Sequence, residues 1–396
     1  MRDDLVGIFL TGVRRADPGP TVAAMLPKMQ RPDAIWAVGK AAVPMARAAL
    51  AHWPGVPCLI VTNPENAAPV AGARVILGGH PVPDAGSAQA GEALLAEAAA
   101  LGPGQAALVL VSGGGSALAV APVEGVSLAD KAAVSRLLLR AGWDISEMNL
   151  VRQNLSRVKG GGLARAAAPG RLEALILSDV VGDDPAAIAS GPTVPPLGGP
   201  DEAVSLLTAR GMWGDIPDSC RDALTRPAEA VPEAGWRLVG SNRLSVEAMA
   251  TAAPGALVDP VPLDGDVAEA AGRVADAARR GPGVTLWGGE TTVRLRGEGR
   301  GGRNQELALR VARALAGVPP PWAFLSGGTD GRDGPTDAAG AVVDDGTLAR
   351  VAAAGLDIDA ILARNDSYPA LQASGDLLIT GGTGTNVADL QILRVG

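Results

Sequence analysis

Eight times in this chain a short apolar run ends in glycine beside polar or charged residues: "VGK", "LGGH", "VSGGGS", "LSDVVGDD", "LVGSN", "LWGGET", "LSGGTDG" and "ITGGTGTN". Ala-rich segments of amphipathic spacing lie between the runs. Strands therefore alternate with helices in the βαβα manner of a largely parallel sheet covered by helices. In open sheets of that kind, ligands bind outside the carboxyl ends of the strands. Glycine there lets backbone N–H groups close on an anion, and Ser, Thr or acidic groups supply the remaining contacts. A glycine that merely ends a strand accounts for any one of these runs, but not for all of them together.

The spacing predicts strands at "AIWAVGK", "PCLIVTN", "RVILGGH", "ALVLVSGGGS" and "LEALILSDVVGDD" in the first half. Helices are predicted at "AGSAQAGEALLAEAAALG" and at "SLADKAAVSRLLLRAG", the latter capped by Ser127. The Pro-rich stretch "RPAEAVPEAG" reads as a linker near residue 230 and divides the chain into residues 1–232 and 233–396. Beyond it the alternation resumes, with strands at "VTLWGGETTVRL", "WAFLSGGTDG" and "DLLITGGTGTN" and a helix at "NQELALRVARALAG". The fold class is α/β in two domains. With 47% hydrophobic but only 3% aromatic residues, the cores must be built from Ala, Val and Leu.

Charge and composition exclude several function classes. The net charge is −8 without a basic block, which argues against nucleic acid and against a membrane surface. No apolar run approaches the roughly 18 residues of a spanning helix. The opening "MRDDLVGIFLTGVRRADPGP" carries acids and lacks the features of a secretory signal. Cys58 and Cys220 form no metal or redox motif. A cytoplasmic protein is expected. Only two histidines occur, His52 and His80, so chemistry that needs several imidazoles is excluded. His80 ends a strand and is placed to line a ligand crevice.

Of 34 basic residues, four are lysines. Lys28 and Lys131 read as surface residues. Lys40 in "AVGKAA" and Lys159 in "VKGGGL" lie against glycine, where a compact ammonium serves a phosphate better than a guanidinium does.

Several strand ends carry groups of chemical interest. Ser112-Gly113-Gly114-Gly115-Ser116 reads as a phosphate-cradling loop or as a tight βα turn; no Walker A sequence occurs. Asp179, Asp183 and Asp184 offer hard oxygen ligands for magnesium or substrate hydroxyls, or cap a solvated loop. Gly289 and Glu290 form either a ligand site or a turn. Gly327, Gly328, Asp330, Asp333 and Asp337 follow an apolar run and predict a polyanionic pocket, a metal, or both. Gly297-x-Gly299-x-x-Gly302 matches a dinucleotide fingerprint, but an acid at the required distance is lacking. The helix opening at Arg303 can equally take an anion at its N-terminus. Phosphoryl transfer fits this inventory, since it demands positioning and charge neutralisation rather than covalent chemistry by the protein.

Seven of these stretches stand in order: "AVGKAA", "GGHPVPDAGS", "VSGGGSAL", "SDVVGDDPAAIASGPT", "GGETTV", "GRGGRNQELAL" and "SGGTDGRDGPTDAAG". Together they resemble the glycerate 2-kinase family of the MOFRL type, also labelled hydroxypyruvate reductase-like, over almost the whole chain. The resemblance implies ATP-dependent phosphorylation of D-glycerate to 2-phosphoglycerate with Mg²⁺. It also implies a Rossmann-like N-terminal domain and a C-terminal MOFRL domain facing each other over a cleft. By motif match the essential lysine falls on Lys40 and the essential arginine on Arg303. The nucleotide is then expected at Ser112, Gly113, Gly114, Gly115, Ser116, Gly289, Glu290, Gly327, Gly328, Asp330 and Asp337. The metal is expected at Asp179, Asp183 and Asp330. Arg332 stands where the family commonly has a small or apolar residue. The implied partners are small molecules, D-glycerate and ATP, with a homo-oligomer left open. Two rival readings are an NAD(P)H-dependent hydroxypyruvate reductase and a non-catalytic protein that binds phosphorylated metabolites.

Overall fold

Five of the apolar runs become strands β1 (Ala34–Val38), β2 (Cys58–Thr62), β3 (Ala73–Leu77), β4 (Ala106–Val111) and β5 (Arg171–Leu177) in a computed structural model that describes residues 1–396. With β6 (Gly235–Gly240) they form one sheet in the order β3-β2-β1-β4-β5-β6. The pairs β1–β2, β1–β4, β2–β3 and β4–β5 are all parallel. This is the doubly wound order, and it reverses direction between β1 and β4. Strands β1 and β2 are buried along their whole length, as strands covered on both faces must be. Trp36, Val61, Leu94, Val109, Leu163 and Ile176 share one core. A smaller core joins the helices Leu128–Arg140, Ile145–Asn154, Pro200–Ala209 and Asp218–Leu224 through Val134, Val151, Leu207 and Leu224.

The second sheet departs from the expected parallel arrangement. Its strands are β7 (Leu257–Val258), β9 (Gly283–Gly289), β11 (Trp322–Gly328), β12 (Gly340–Asp344), β13 (Leu377–Leu378) and β14 (Asp389–Val395); a separate two-stranded ribbon joins β8 (Gly265–Asp266) and β10 (Thr291–Thr292). The order is β13-β12-β11-β14-β9-β7. Strand β14 runs antiparallel to both β9 and β11. β9 and β11 thus keep the parallel sense that their helical connection gives them, and a late strand is inserted between them. Strand β12 is antiparallel to β11, and "DLLITGGTGTN" contributes only the two residues of β13.

The compact units are Pro18–Val239 on one side and Met1–Asp17 with Gly240–Gly396 on the other. The division expected at residues 232 and 233 therefore differs at both ends. Strand β6 lies almost entirely in the first unit, and the first helix, Arg2–Arg15, belongs to the second unit. The reason lies in Leu5, Phe9 and Val13, which recur at helical spacing and pack with Met249, Leu325 and Ile392. Each such burial contributes about 1.5–3 kcal/mol. Arg2 ties the helix start to Asp344 at 2.8 Å and to Asp376 at 2.5 Å. No helix is long and apolar enough to cross a membrane.

Candidate active site

In the first unit the reversal of strand order brings the ends of β1 and β4 together. Lys40 N–H donates to Gly113 O at 2.9 Å, and Ala41 N–H donates to Ser112 Oγ at 3.1 Å. Gly39 has φ +129, and a Cβ there would lie 2.2 Å from Ser112 Oγ, so only glycine permits this crossing. Ser112 itself is buried and serves the crossing rather than an open face. The side chains of Lys40 and His80 lie over Gly114: a Cβ at that position would stand 3.2 Å from Lys40 Cε and 3.1 Å from His80 Cδ2. Gly113 faces Asp179, whose Oδ2 fills the place a Cβ would take, at 2.0 Å. Lys40, His80, Gly113, Gly114 and Asp179 thus come from four different strand ends and meet at one point.

The charges there act on one another. Burial pushes the Asp179 carboxyl above its ordinary range, against a backbone hydrogen bond and the Lys40 ammonium. Burial, then Lys40, holds the His80 imidazole below its ordinary value, with Glu65 pulling the other way. Asp183 adopts φ +57 in the turn beyond Asp179, and Asp184 accepts from Ala186 N–H at 2.9 Å as a turn former. Gly115 packs on Ala189, and Ser116 hydrogen-bonds Ser190 at 2.9 Å.

The acidic turn of the second unit is built differently from the pocket of three carboxylates that its spacing predicts. Asp333 is buried, and its carboxylate accepts from Asn304 N–H at 3.1 Å and Gln305 N–H at 2.8 Å. It therefore caps the helix Arg303–Ala314, and the anion at that helix start is the chain's own. Burial raises the Asp333 carboxyl to about 6 despite these bonds. Asp337 is exposed and accepts from Tyr368 Oη–H at 2.7 Å, while Arg300 stacks over the Tyr368 ring at 4.2 Å. Asp330 accepts from Arg332 N–H at 2.9 Å, and burial raises its carboxyl. Arg332 is exposed.

Arg303 is gripped by two carboxylates of its own unit. Its Nε and Nη2 donate to Asp389 at 2.6 and 3.0 Å, and its Nη1 pairs with Glu290 at 2.6 Å. Burial opposes the guanidinium charge, but Asp389 and then Glu290 outweigh it and raise the Arg303 pKa. Asp389 is fully buried and was not among the sequence candidates, although it is the acid that opens the last apolar run in "VADLQILRV". The glycines nearby have packing reasons. A Cβ at Gly289 would meet Leu263 backbone at 2.3 Å, one at Gly327 the Phe9 ring at 2.9 Å, and one at Gly328 Arg332 O at 2.8 Å.

The remaining sequence candidates divide clearly. Lys131 is not a surface residue: it is 5% exposed, and its Nζ donates to Arg152 O at 3.0 Å and Leu155 O at 2.7 Å, closing a helix end. The fingerprint Gly297-x-Gly299-x-x-Gly302 is filled by protein. Gly297 and Gly299 press on Arg364 O, within 2.8 and 2.4 Å of a built Cβ, and Gly302 presses on Asp333. No group of three or more Asp, Glu, His or Cys side chains stands close enough to hold a metal ion.

Two families match the chain by sequence: a domain of unknown function, DUF4147, over residues 4–225, and the MOFRL family over residues 283–389. An Agrobacterium vitis protein with the provisional name hydroxypyruvate reductase is 42% identical over 418 aligned residues, spanning 100% of this chain and 94% of that protein. The D-glycerate 2-kinase of Thermotoga maritima is 38% identical over 405 residues, spanning 98% of this chain and 96% of that enzyme. The crystal structure of a glycerate kinase from Thermotoga maritima superposes with a TM-score of 0.94 at 36% identity, covering 100% of this chain and 99% of the other.

Proposed function

The chain belongs to the glycerate kinase family of the MOFRL type, and on that premise we infer that it is an ATP-dependent kinase that phosphorylates D-glycerate to 2-phosphoglycerate. The observation that carries this reading is the Lys40 side chain lying over Gly114 at the point where the strand order reverses. Lys40 is assigned to a phosphate oxygen as a point charge, beside backbone N–H groups of the Gly113–Ser116 loop. Magnesium, when bound with ATP, spreads the charge of the transferring phosphoryl group. Asp179 is the carboxylate of this strand end that would reach the ion or its waters, beside the nucleotide's own phosphates.

Arg303 is assigned as the second catalytic residue. Three of its five N–H groups are taken by Asp389 and Glu290, so the guanidinium is held in one orientation with two donors left for an anion. A cytoplasmic setting belongs to the same reading, since Cys58 and Cys220 are buried free thiols.

The name of the Agrobacterium relative and the doubly wound strand order keep a reductase as the second reading. Against it stands the fingerprint filled by Arg364 and Asp333, where no pyrophosphate can approach the glycines. Two assays on one preparation decide. ADP release from ATP with D-glycerate, without NADH oxidation by hydroxypyruvate, is expected; NADH oxidation without ADP release would overturn the proposal. Phosphorus NMR of the product separates 2-phosphoglycerate from its 3-phospho isomer.

A further inference from the structure

Lys159 has no role in the reaction as assigned above, yet it is among the largest fully buried side chains. Its segment is zipped to the 190–192 turn: Gly160 N–H donates to Ser190 O at 3.0 Å, Gly161 N–H to Gly191 O at 2.8 Å and Leu163 N–H to Pro192 O at 3.1 Å. Both strips are locally constrained, with Gly160 and Gly161 at φ +54 and +75 and the non-glycine residues Ala189 and Ser190 at +51 and +60. Such backbone is held in place by its surroundings and collects at functional sites. The result is that Lys159 Nζ donates to Ser116 Oγ at 2.6 Å, at the end of the glycine loop.

The hydrogens in this cluster can be traced. Asn149 Oδ1 accepts from Ser190 Oγ–H at 3.2 Å, so Ser190 must itself accept from Ser116 Oγ–H at 2.9 Å. The two lone pairs of Ser116 then face Lys159 at 2.6 Å and Arg152 Nη2 at 3.4 Å. Ser116 has nothing left to donate. Lys159 has two ammonium hydrogens without a partner, and Arg152 Nε is buried without one. Neither residue has an ion pair, and the charges that bear on Lys159 are those of Arg152 and Lys131. Burial, then those two cations, pushes the Lys159 pKa far down.

A buried cation pair with no carboxylate is costly in the absence of a counter-charge. Lys131 is accounted for by two carbonyls; Lys159 and Arg152 are not. We propose that Lys159 and Arg152 form an oxyanion subsite that holds a phosphate group against the Ser116 end of the glycine loop. Ser116 and Arg152 are half-buried whereas Lys159 is buried, so the cluster meets solvent through Ser116 and Arg152. The ligand chemistry is a tetrahedral phosphate, supplied either by the nucleotide or by the phosphorylated product. The proposal rests on the kinase reading for these two sources, but not for phosphate recognition itself.

The test is binding to the full chain, without turnover. Inorganic phosphate, ADP, 2-phosphoglycerate and D-glycerate are titrated by calorimetry into wild type and Lys159→Met. Losing a charge-assisted contact should weaken phosphate binding by about tenfold to a hundredfold. Thermal stability should not fall, because a buried polar amine has been replaced by an apolar chain of similar length. A loss confined to ADP assigns the subsite to the nucleotide, and a loss confined to 2-phosphoglycerate assigns it to the transferred group. If phosphate, ADP and 2-phosphoglycerate all bind the variant as they bind wild type, the subsite does not exist and Lys159 is a core amine. Arg152→Gln carries the same readout if Lys159→Met does not fold. Lys159-dependent phosphate binding without glycerate phosphorylation would break only the kinase reading; turnover with unaltered binding in both variants would break only the subsite.

Discussion

The glycine loop after β4 and the acidic turn after β11 handle charge in opposite ways. Around the first stand Lys40, Arg152 and Lys159, and the only carboxylate pressed on the loop is Asp179. Around the second, the one catalytic candidate, Arg303, is neutralised by Asp389 and Glu290 before any ligand arrives, and Asp333 is spent on a helix start. Similar strand-glycine sequences therefore gather cations around one loop and balance a guanidinium with carboxylates at the other. On the proposed reading, the anion-binding work belongs to the first. The second holds one guanidinium rigid.

The largest effect that can break this contrast is at Arg303. If the frame exists to aim that guanidinium at the reacting phosphoryl group, Arg303→Ala lowers kcat by on the order of 10³–10⁵. The substitution also strands the buried Asp389 carboxylate, so Arg303→Lys, which keeps the charge but loses the bidentate grip, is the necessary companion. Steady-state kinetics with a parallel thermal melt separate the two effects. A lowered melting temperature with unchanged kcat would reduce Arg303 to a structural ion pair.

Lys40→Arg tests the other side. A planar guanidinium cannot lie over Gly114 as the lysine stem does, and misplacement by about 1 Å costs roughly 10²-fold in turnover. Near wild-type activity in the folded variant would remove Lys40 from the phosphate site and with it the contrast between the two loops.

Much of this was legible because it is local. Strands β1 to β5 are apolar runs bounded by glycine, proline or polar residues, and Lys40 with the Ser112–Ser116 loop follows from where those runs end. What the sequence hides is long-range. Nothing in "DLQILRV" shows that β14 inserts between β9 and β11, and Leu5, Phe9 and Val13 reveal a helix face without revealing the sheet it covers. Asp333 reads as one of three pocket carboxylates, because its true partners, Asn304 N–H and Gln305 N–H, lie about thirty residues away in a different element. Lys131 in "LADKAAV" has the pattern of an exposed helix position. Only the fold shows the carbonyls of Arg152 and Leu155 waiting for it.

Lys131 sharpens the comparison among the buried cations, since it is the one held by backbone carbonyls. Burial, then Arg152, brings its pKa down from 10.5 to about 7. The folded value lies below the unfolded one, so between about pH 7 and 10.5 the unfolded chain binds more protons and stability rises with pH. The gain is at most about 1.4 kcal/mol per pH unit. Urea melts of wild type and Lys131→Met at pH 7, 8 and 9 should show wild type gaining on the variant at each step. Parallel lines would mean that Lys131 stays charged in the fold.

The smallest expected effect concerns magnesium, and it asks which loop the metal leans on. Asp179 and Asp330 are both carboxylates whose burial raises their pKa, one at each loop. On the proposed reading the ion would travel with the nucleotide's phosphates, and either carboxylate would add one contact, direct or through water. Asp179→Asn and Asp330→Asn keep the side-chain shape and remove the charge. If the glycine loop is the anion-binding side, the metal travels with the phosphates there, and Asp179→Asn raises the Mg²⁺ concentration for half-maximal rate by roughly three- to tenfold, equivalent to about 1 kcal/mol. Asp330→Asn should then titrate like wild type, because Asp330 is occupied by Arg332 N–H and its neighbours at Arg303 are already balanced. The reverse pattern would move the metal to the acidic turn and undo the division of labour. Wild-type titration in both variants would leave Mg²⁺ bound by ATP alone, with Asp179 serving only to hold Gly113 in place.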